Sequence, residues 1–180
     1  MIAPTSHTTI EIPSFEEGRL IYRAPRLSDF EAYAAFRGSP RSKGVGGPYL
    51  RSSAFQSLAA LIGHWHLRGF GRWMIEDRDT GAPLGIVGPM HPDGWPEPEI
   101  AWSVFEAAEG RGVAYEAARF SLRYAYEVLG WSTAISCSMP DNTRSIALAK
   151  RLGATYERDF VNPEFGTLQV WRHVGPEAWE

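Results

Sequence analysis

The stretch with the clearest chemical content is Glu109-Gly110-Arg111-Gly112-Val113-Ala114. Two glycines followed by an alanine leave the backbone N–H groups of a turn uncovered, and the helix that starts beyond it adds the unpaired N–H groups of its first turn. Such a turn binds anions, phosphate above all, and Arg111 supplies a fixed positive charge that can bridge phosphate oxygens. The same residues also make an ordinary tight strand-to-helix connection, and the pattern alone does not separate the two. It does exclude the common nucleotide sites: Tyr115 stands where a dinucleotide fingerprint has its third glycine, Glu127 lies inside the helix, and no Gly-Lys-Ser/Thr follows. His64 and His66, two apart in a helical run, point to different sides and do not suit a shared metal. Cys137 has no histidine near it in sequence, so an inert buried strand cysteine is expected rather than a nucleophile.

These groups depend on the elements around them. Ile100, Trp102 and Val104 alternate with Glu99, Ala101 and Ser103, a strand running into the turn. Beyond the turn, Glu116, Arg119, Arg123 and Glu127 form one helical face and Ala114, Ala118, Leu122, Ala125 and Leu129 another. Upstream, 19–25 alternates as a first strand, and Ser28 caps a helix to about Arg37, with Asp29 and Glu31 at its positive end. Residues 39–49, rich in glycine and proline and carrying Arg41 and Lys43, read as a mobile basic loop, either a helix connection or a lid. A second helix runs from Ser52 or Ser53 to Gly69, and strands at 72–77 and 84–90 flank an Asp79-Thr80-Gly81 hairpin. Trp95, in a proline-rich loop, sits either at the rim of a cleft or packed inward. A strand at 132–139, a helix from about Asn142 to Leu152, and strands at 154–160 and 167–174 complete the chain. The order predicts a mixed α/β (α+β) fold, one mainly antiparallel sheet of about seven strands flanked by about four helices.

The 180 residues fit one domain, expected over 19–180, preceded by a flexible lead-in over 1–18 that lacks the basic flank and apolar core of a signal peptide. A net charge of -3 argues against a general nucleic-acid binder, and no apolar run is long enough for a membrane span. One cysteine excludes an intrachain disulfide framework. A cytoplasmic location, no metal, no nucleic-acid or membrane partner and a possible homodimer are the expectations.

Three elements then coincide in order and spacing: Glu99-Ile100-Ala101-Trp102 on a strand, the 110–114 turn, and Asn142-Thr143-Arg144-Ser145 ahead of Lys150-Arg151-Leu152-Gly153. Together they resemble the GCN5-related N-acetyltransferase family, in particular its ribosomal-protein N-terminal acetyltransferase branch. The resemblance covers roughly 19–174, and Gly71-Arg72-Trp73 fits the same branch. It implies a twisted sheet whose strands at Ile100 and Ser136 splay apart to admit acetyl-CoA. It further implies that Gly110, Arg111, Gly112, Val113 and Ala114 hold the pyrophosphate, that Val104 and its neighbours pair with the pantetheine arm, and that Asn142 orders the junction or contacts the coenzyme. Two positions depart from the family: Glu109 replaces a common glutamine or arginine, and Ala149 stands where other branches place a tyrosine that protonates the thiolate.

On that resemblance the function expected is transfer of acetyl from acetyl-CoA directly to a primary amine, either a protein N-terminus or a small molecule. An alkylamine is mostly protonated at neutral pH, so a base must take its proton. Glu99, on the strand that walls the cleft, is the expected base, with Glu97 of the same parity as understudy; a solvated strand-end carboxylate is the plain alternative. Ser145, one turn into its helix, is the expected donor to the leaving thiolate, against simple helix capping. A non-catalytic acyl-CoA-binding or sensing domain is the competing reading, favoured by Glu109 and Ala149.

Overall fold

The computed structural model describes residues 9–179. Its strands are β1 (Phe15–Glu17), β2 (Leu20–Arg23), β3 (Trp73–Asp77), β4 (Pro83–Met90), β5 (Glu99–Val104), β6 (Ile135–Ser138), β7 (Thr155–Asn162) and β8 (Gly166–Arg172). The helices are α1 (Phe30–Arg37), α2 (Arg51–Arg68), α3 (Val113–Glu127) and α4 (Thr143–Arg151). All eight strands form one sheet in the order β1-β2-β3-β4-β5-β6-β8-β7. Every neighbouring pair is antiparallel except β5 with β6.

The eighth strand, β1, comes from the segment expected to be a flexible lead-in. It pairs with β2, and Phe15 packs on Trp73, Phe120 and Tyr124 while the Trp73 indole N–H donates to Pro13 O at 2.9 Å. Large aromatic area buried against α3 orders these residues. The part of the expected lead-in at residues 1–8 lies outside the described residues.

Strand alternation sorts the core into two layers. Tyr22, Trp73, Ile75 and Ile100 pack with Val113, Ala117, Phe120 and Tyr124 of α3 on one face. Met74, Ile86 and Phe105 pack with Tyr33, Phe36, Leu58 and Leu61 of α1 and α2 on the other. On β5, Ile100, Trp102 and Val104 belong to the α3 face, so Glu99, Ala101 and Ser103 turn to the α1/α2 face.

Two local expectations change. Asp29 does more than sit at a helix end: it is buried, accepts Arg26 N–H at 2.7 Å and pairs with Arg23 at 2.7 Å. The 39–49 segment carries a 3-10 turn at Pro40–Val45, with Ser42 buried and its hydroxyl bonded to Arg37 O and Ser39 O at 2.8 Å each. It forms a wall of the cleft described next rather than a loose connection.

Candidate active site

The site begins where β5 and β6 part. Their parallel ladder has one register pair, Glu99 with Ile135, and Ile135 N–H bonds Pro98 O at 3.4 Å. In an unbroken parallel ladder the next bond on that side would run from Cys137 N–H to Ile100 O. Side chains take both halves of it instead. Glu99 Oε2 accepts Cys137 N–H at 2.7 Å, and Ser136 Oγ donates to Ile100 O at 2.6 Å. With its proton on Ile100 O, Ser136 Oγ accepts from His173 Nε2 at 2.9 Å. His173, buried and beside Arg172, has its pKa pushed down to about 4 and is neutral. The strands diverge beyond this point. Phe105 N–H bonds Leu84 O, so in the regular β4–β5 register the backbone of Ser103 and Ala101 also faces β4. The backbone groups of Trp102 and Val104 therefore face the gap, as the pantetheine expectation for Val104 requires.

The gap opens into a cavity of about 630 Å3. At one end lies the glycine turn. Gly110 and Gly112 adopt φ of +70° and +77°, the left-handed conformation that favours glycine. Tyr115 and Glu116 N–H both bond Gly112 O, while the N–H groups of Gly112, Val113 and Ala114 have no acceptor among the described residues and all three residues line the cavity. Three free amides at the head of a 15-residue helix make an anion cradle. Arg111 is not part of it. Its N–H bonds Ala108 O at 3.4 Å, and its guanidinium turns outward to Asp77 at 2.8 Å and Ala107 O at 3.2 Å. The bond to Arg111 holds the Asp77 carboxyl below the usual range. Positive charge reaches the cavity from α4 instead, through Arg144 and Arg151, the latter stacked 4.1 Å from the Tyr115 ring. Glu109 does not face the cradle unopposed, because Arg144 pairs with it at 2.8 Å and Arg41 closes on it from the 39–49 wall.

At the branch point, Glu99 is 4% exposed and lines the cavity. The solvated strand-end reading is excluded by that burial. Desolvation pushes its pKa up to about 7, against the opposing pull of Cys137 N–H and the nearby Arg72 guanidinium. Trp95, which packs inward against Phe165 and Phe160, adds a weaker favourable interaction, although its Nε1 has no partner at hydrogen-bond geometry. Glu97 lies outside the cavity, clamped by both Arg172 nitrogens at 2.7 Å and by Arg158 at 3.3 Å. That ion pairing lowers its pKa and removes it as an understudy.

Ser145 faces the same cavity. Its hydroxyl accepts Trp102 Nε1–H at 3.1 Å and lies 2.7 Å from the buried Ser138 hydroxyl. If Ser138 donates, Ser145 accepts twice and its own proton is free for the cavity. Asn142 caps α4 by accepting Ser145 N–H at 3.3 Å, and it also lines the cavity, packed against Gly44, where a side chain would collide with it. Ala149 is fully buried with Trp171 and Ala154 and does not line the cavity. Cys137 turns its amide to Glu99, and burial together with that carboxylate holds its thiol pKa far above neutrality. His64 accepts His91 N–H and bonds Phe70 O, and no metal-binding group of histidine, cysteine or acidic residues occurs among the described residues.

A sequence model described as an acetyltransferase (GNAT) domain matches residues 19–155. The chain belongs to the GNAT acetyltransferase family. An acetyltransferase from Agrobacterium tumefaciens is 36% identical, aligns with 94% of this chain and 99% of its own, and superposes with a TM-score of 0.82. Two more distant GNAT folds are a ribosomal-protein-S5-alanine acetyltransferase from Vibrio fischeri and a spermidine N-acetyltransferase from Vibrio cholerae in complex with CoA and spermine. The first has 15% identity, coverage of 94% and 100%, and a TM-score of 0.67. The second has 16% identity, coverage of 87% and 96%, and a TM-score of 0.69. Among curated sequences, the uncharacterized Bacillus subtilis protein YkkB is 30% identical over 92 residues, half of this chain and 54% of its own length. Within the GNAT frame, sequence reading missed Arg37, Arg41 and Arg72 as cavity residues; only the basic character of the 39–49 loop pointed to one of them.

Proposed function

We propose that this chain transfers acetyl from acetyl-CoA directly to a primary amine in a ternary complex. The observation that carries the proposal is one continuous cavity with an anion cradle at one end and a desolvated carboxyl at the point where β5 and β6 part. Gly112, Val113 and Ala114 would hold the pyrophosphate through their free amides, and Trp102 and Val104 would pair their open backbone groups with the pantetheine arm. Acetyl-CoA supplies the activated acyl group. Glu99, ionised above about pH 7, takes the proton of the acceptor ammonium directly or through a water, and the neutral nitrogen then forms the C–N bond as the C–S bond breaks. Trp102 N–H faces the gap where negative charge develops on the carbonyl oxygen. Ser145, polarised by Trp102 and Ser138, hydrogen-bonds the departing thiolate and relays to it the second proton that the nitrogen sheds as the amide forms, so its own hydroxyl is restored. The pairing of Glu109 with Arg41 and Arg144 removes the main objection to coenzyme binding.

Free-thiol release from acetyl-CoA across a panel of amines, set beside a coenzyme titration, tests the proposal. Amine-dependent release supports it; tight coenzyme binding with no release by any amine would leave the sensing domain as the better description.

A further inference from the structure

From the wall of the cavity on the α1/α2 face of the sheet, the acetyl-transfer chemistry uses Glu99 alone. Arg72, just ahead of β3, and Arg37, the last residue of α1, both line it. Gly88 pairs with Ala101 in the sheet, and a Cβ there would meet Arg72 Cα at 2.9 Å, so this floor is kept bare beside the arginine. Arg72 makes no side-chain hydrogen bond among the described residues; Glu99 and Tyr33 favour its charge, while burial and Arg37 oppose it. The Tyr33 hydroxyl is taken by Ser57. Arg37 donates Nη1–H to Val45 O at 3.1 Å and stacks on Tyr49 at 3.9 Å, and its Nε–H is buried with no acceptor among the described residues.

Among the described residues Glu99 is the one carboxylate whose charge acts on Arg72, and no carboxylate makes a hydrogen bond or ion pair to either arginine. Glu99 already accepts Cys137 N–H, and Glu109, the other carboxylate of the cavity, is held by Arg41 and Arg144 at the far end. His64, on the other side of Arg72, accepts His91 N–H at Nε2, so its Nδ1 carries the proton to Phe70 O and the ring is neutral. Arg72 and Met90 also border a second cavity of about 220 Å3, so Arg72 adjoins open volume on both sides. Buried guanidiniums short of acceptors are matched by a carboxylate, which takes their N–H groups in bidentate fashion.

We propose that this wall is an anion subsite for the acceptor, which is a small amine bearing a carboxylate, an amino acid rather than a polyamine. Arg72 and Arg37 hold the carboxylate while the amine nitrogen faces Glu99, and Tyr49, Trp95 and Phe165 on the same wall suit an apolar side chain. The proposal rests on the acetyltransferase reading for its acceptor.

Matched acceptors that differ only in the carboxylate test it: phenylalanine against phenethylamine and phenylalaninamide, and leucine against 3-methylbutylamine, with spermine as a polyamine. The expected kcat/KM is at least tenfold higher for the carboxylate members. Arg72→Gln should erase that preference through KM for the amino acid, leaving KM for acetyl-CoA unchanged. Equal or better use of the carboxylate-free partners or of spermine would overturn the subsite and leave acetyl transfer standing. If no amine is acetylated, the transfer reading fails and the subsite is judged by titrating N-acetylphenylalanine against N-phenethylacetamide, read by tryptophan fluorescence. Selective binding of the carboxylate that disappears in Arg72→Gln sustains the subsite; equal binding overturns it. Arg37→Gln is the second variant should Arg72→Gln fail to fold.

Discussion

The two ends of the cleft use different materials: the α3 end presents backbone, the free amides of Gly112, Val113 and Ala114, whereas the Glu99 end presents side chains from widely separated stretches. Arg37 comes from α1, Tyr49 from the wall after it, Arg72 from the edge of β3, Trp95 from the loop before β5 and Phe165 from the β7–β8 turn. A backbone cradle recognises phosphate whatever the surrounding side chains are, so it suits the reactant common to the family. A side-chain chamber varies with each substitution, so it suits the reactant that distinguishes one member from another. Within that chamber Glu99 replaces a ladder hydrogen bond and so ties the chamber to the point where β5 and β6 part.

The comparison breaks most visibly at Glu99. Glu99→Gln keeps an amide oxygen to accept Cys137 N–H, so the branch point should survive, while turnover falls roughly 10²- to 10⁴-fold, the usual contribution of a general base. Coenzyme affinity should not move. The wild-type rate should climb with pH through about 7 as Glu99 ionises, and the variant's profile should lack that step. A variant with wild-type turnover at neutral pH would pass proton removal to water alone.

The same carboxyl predicts how stability depends on pH. Its folded pKa, about 7, lies above the usual 4.5, so the native state holds this proton more tightly than the unfolded chain does. Its contribution to stability is therefore fully present below about pH 4.5 and is lost as pH rises to about 7, a change of about 3 kcal/mol. Denaturant melts should show wild type losing ground to Glu99→Gln across that window and keeping a constant gap above it. A gap that does not vary with pH would mean that Glu99 is not desolvated in solution.

At the other end, Gly112→Val should weaken coenzyme binding at least tenfold, because φ of +77° strains a β-branched residue and relief of that strain moves the amides of the turn. Unchanged affinity in a titration of the folded variant would remove the cradle from the site. Ser145→Ala should lower turnover about tenfold with little change in binding, and should cost about 1 kcal/mol of stability because Trp102 N–H loses its acceptor. The smallest effect is expected at Glu109: Glu109→Gln frees Arg41 and Arg144 and should tighten coenzyme binding a few-fold, more so at low salt. A loss of affinity would show that Glu109 positions those arginines rather than competing for them.

Local pattern carried the backbone end. The glycines, the strand alternation before them and the helical spacing after them are near neighbours in the chain, and so are Asn142 and Ser145. The element order and the family resemblance were legible for the same reason. Contacts across long separations were not. Arg111 reads as a phosphate ligand in sequence, yet Asp77, from another strand, claims its guanidinium, and Arg144 and Arg151 of α4 are the cations that line this part of the cavity. Glu97 and Glu99 share a parity, yet only packing against Arg172 locks the first and only the parting of β5 from β6 buries the second. Phe15 ordered a segment that composition alone marks as loose, because three aromatic rings from β3 and α3 converge on it. The sequence by itself determined which residues could form strand, turn and helix, since those choices follow from neighbours along the chain. Which charges are neutralised, which carboxyl is desolvated and which arginines line the cavity were decided by the tertiary structure, because burial and ion pairing depend on neighbours in space.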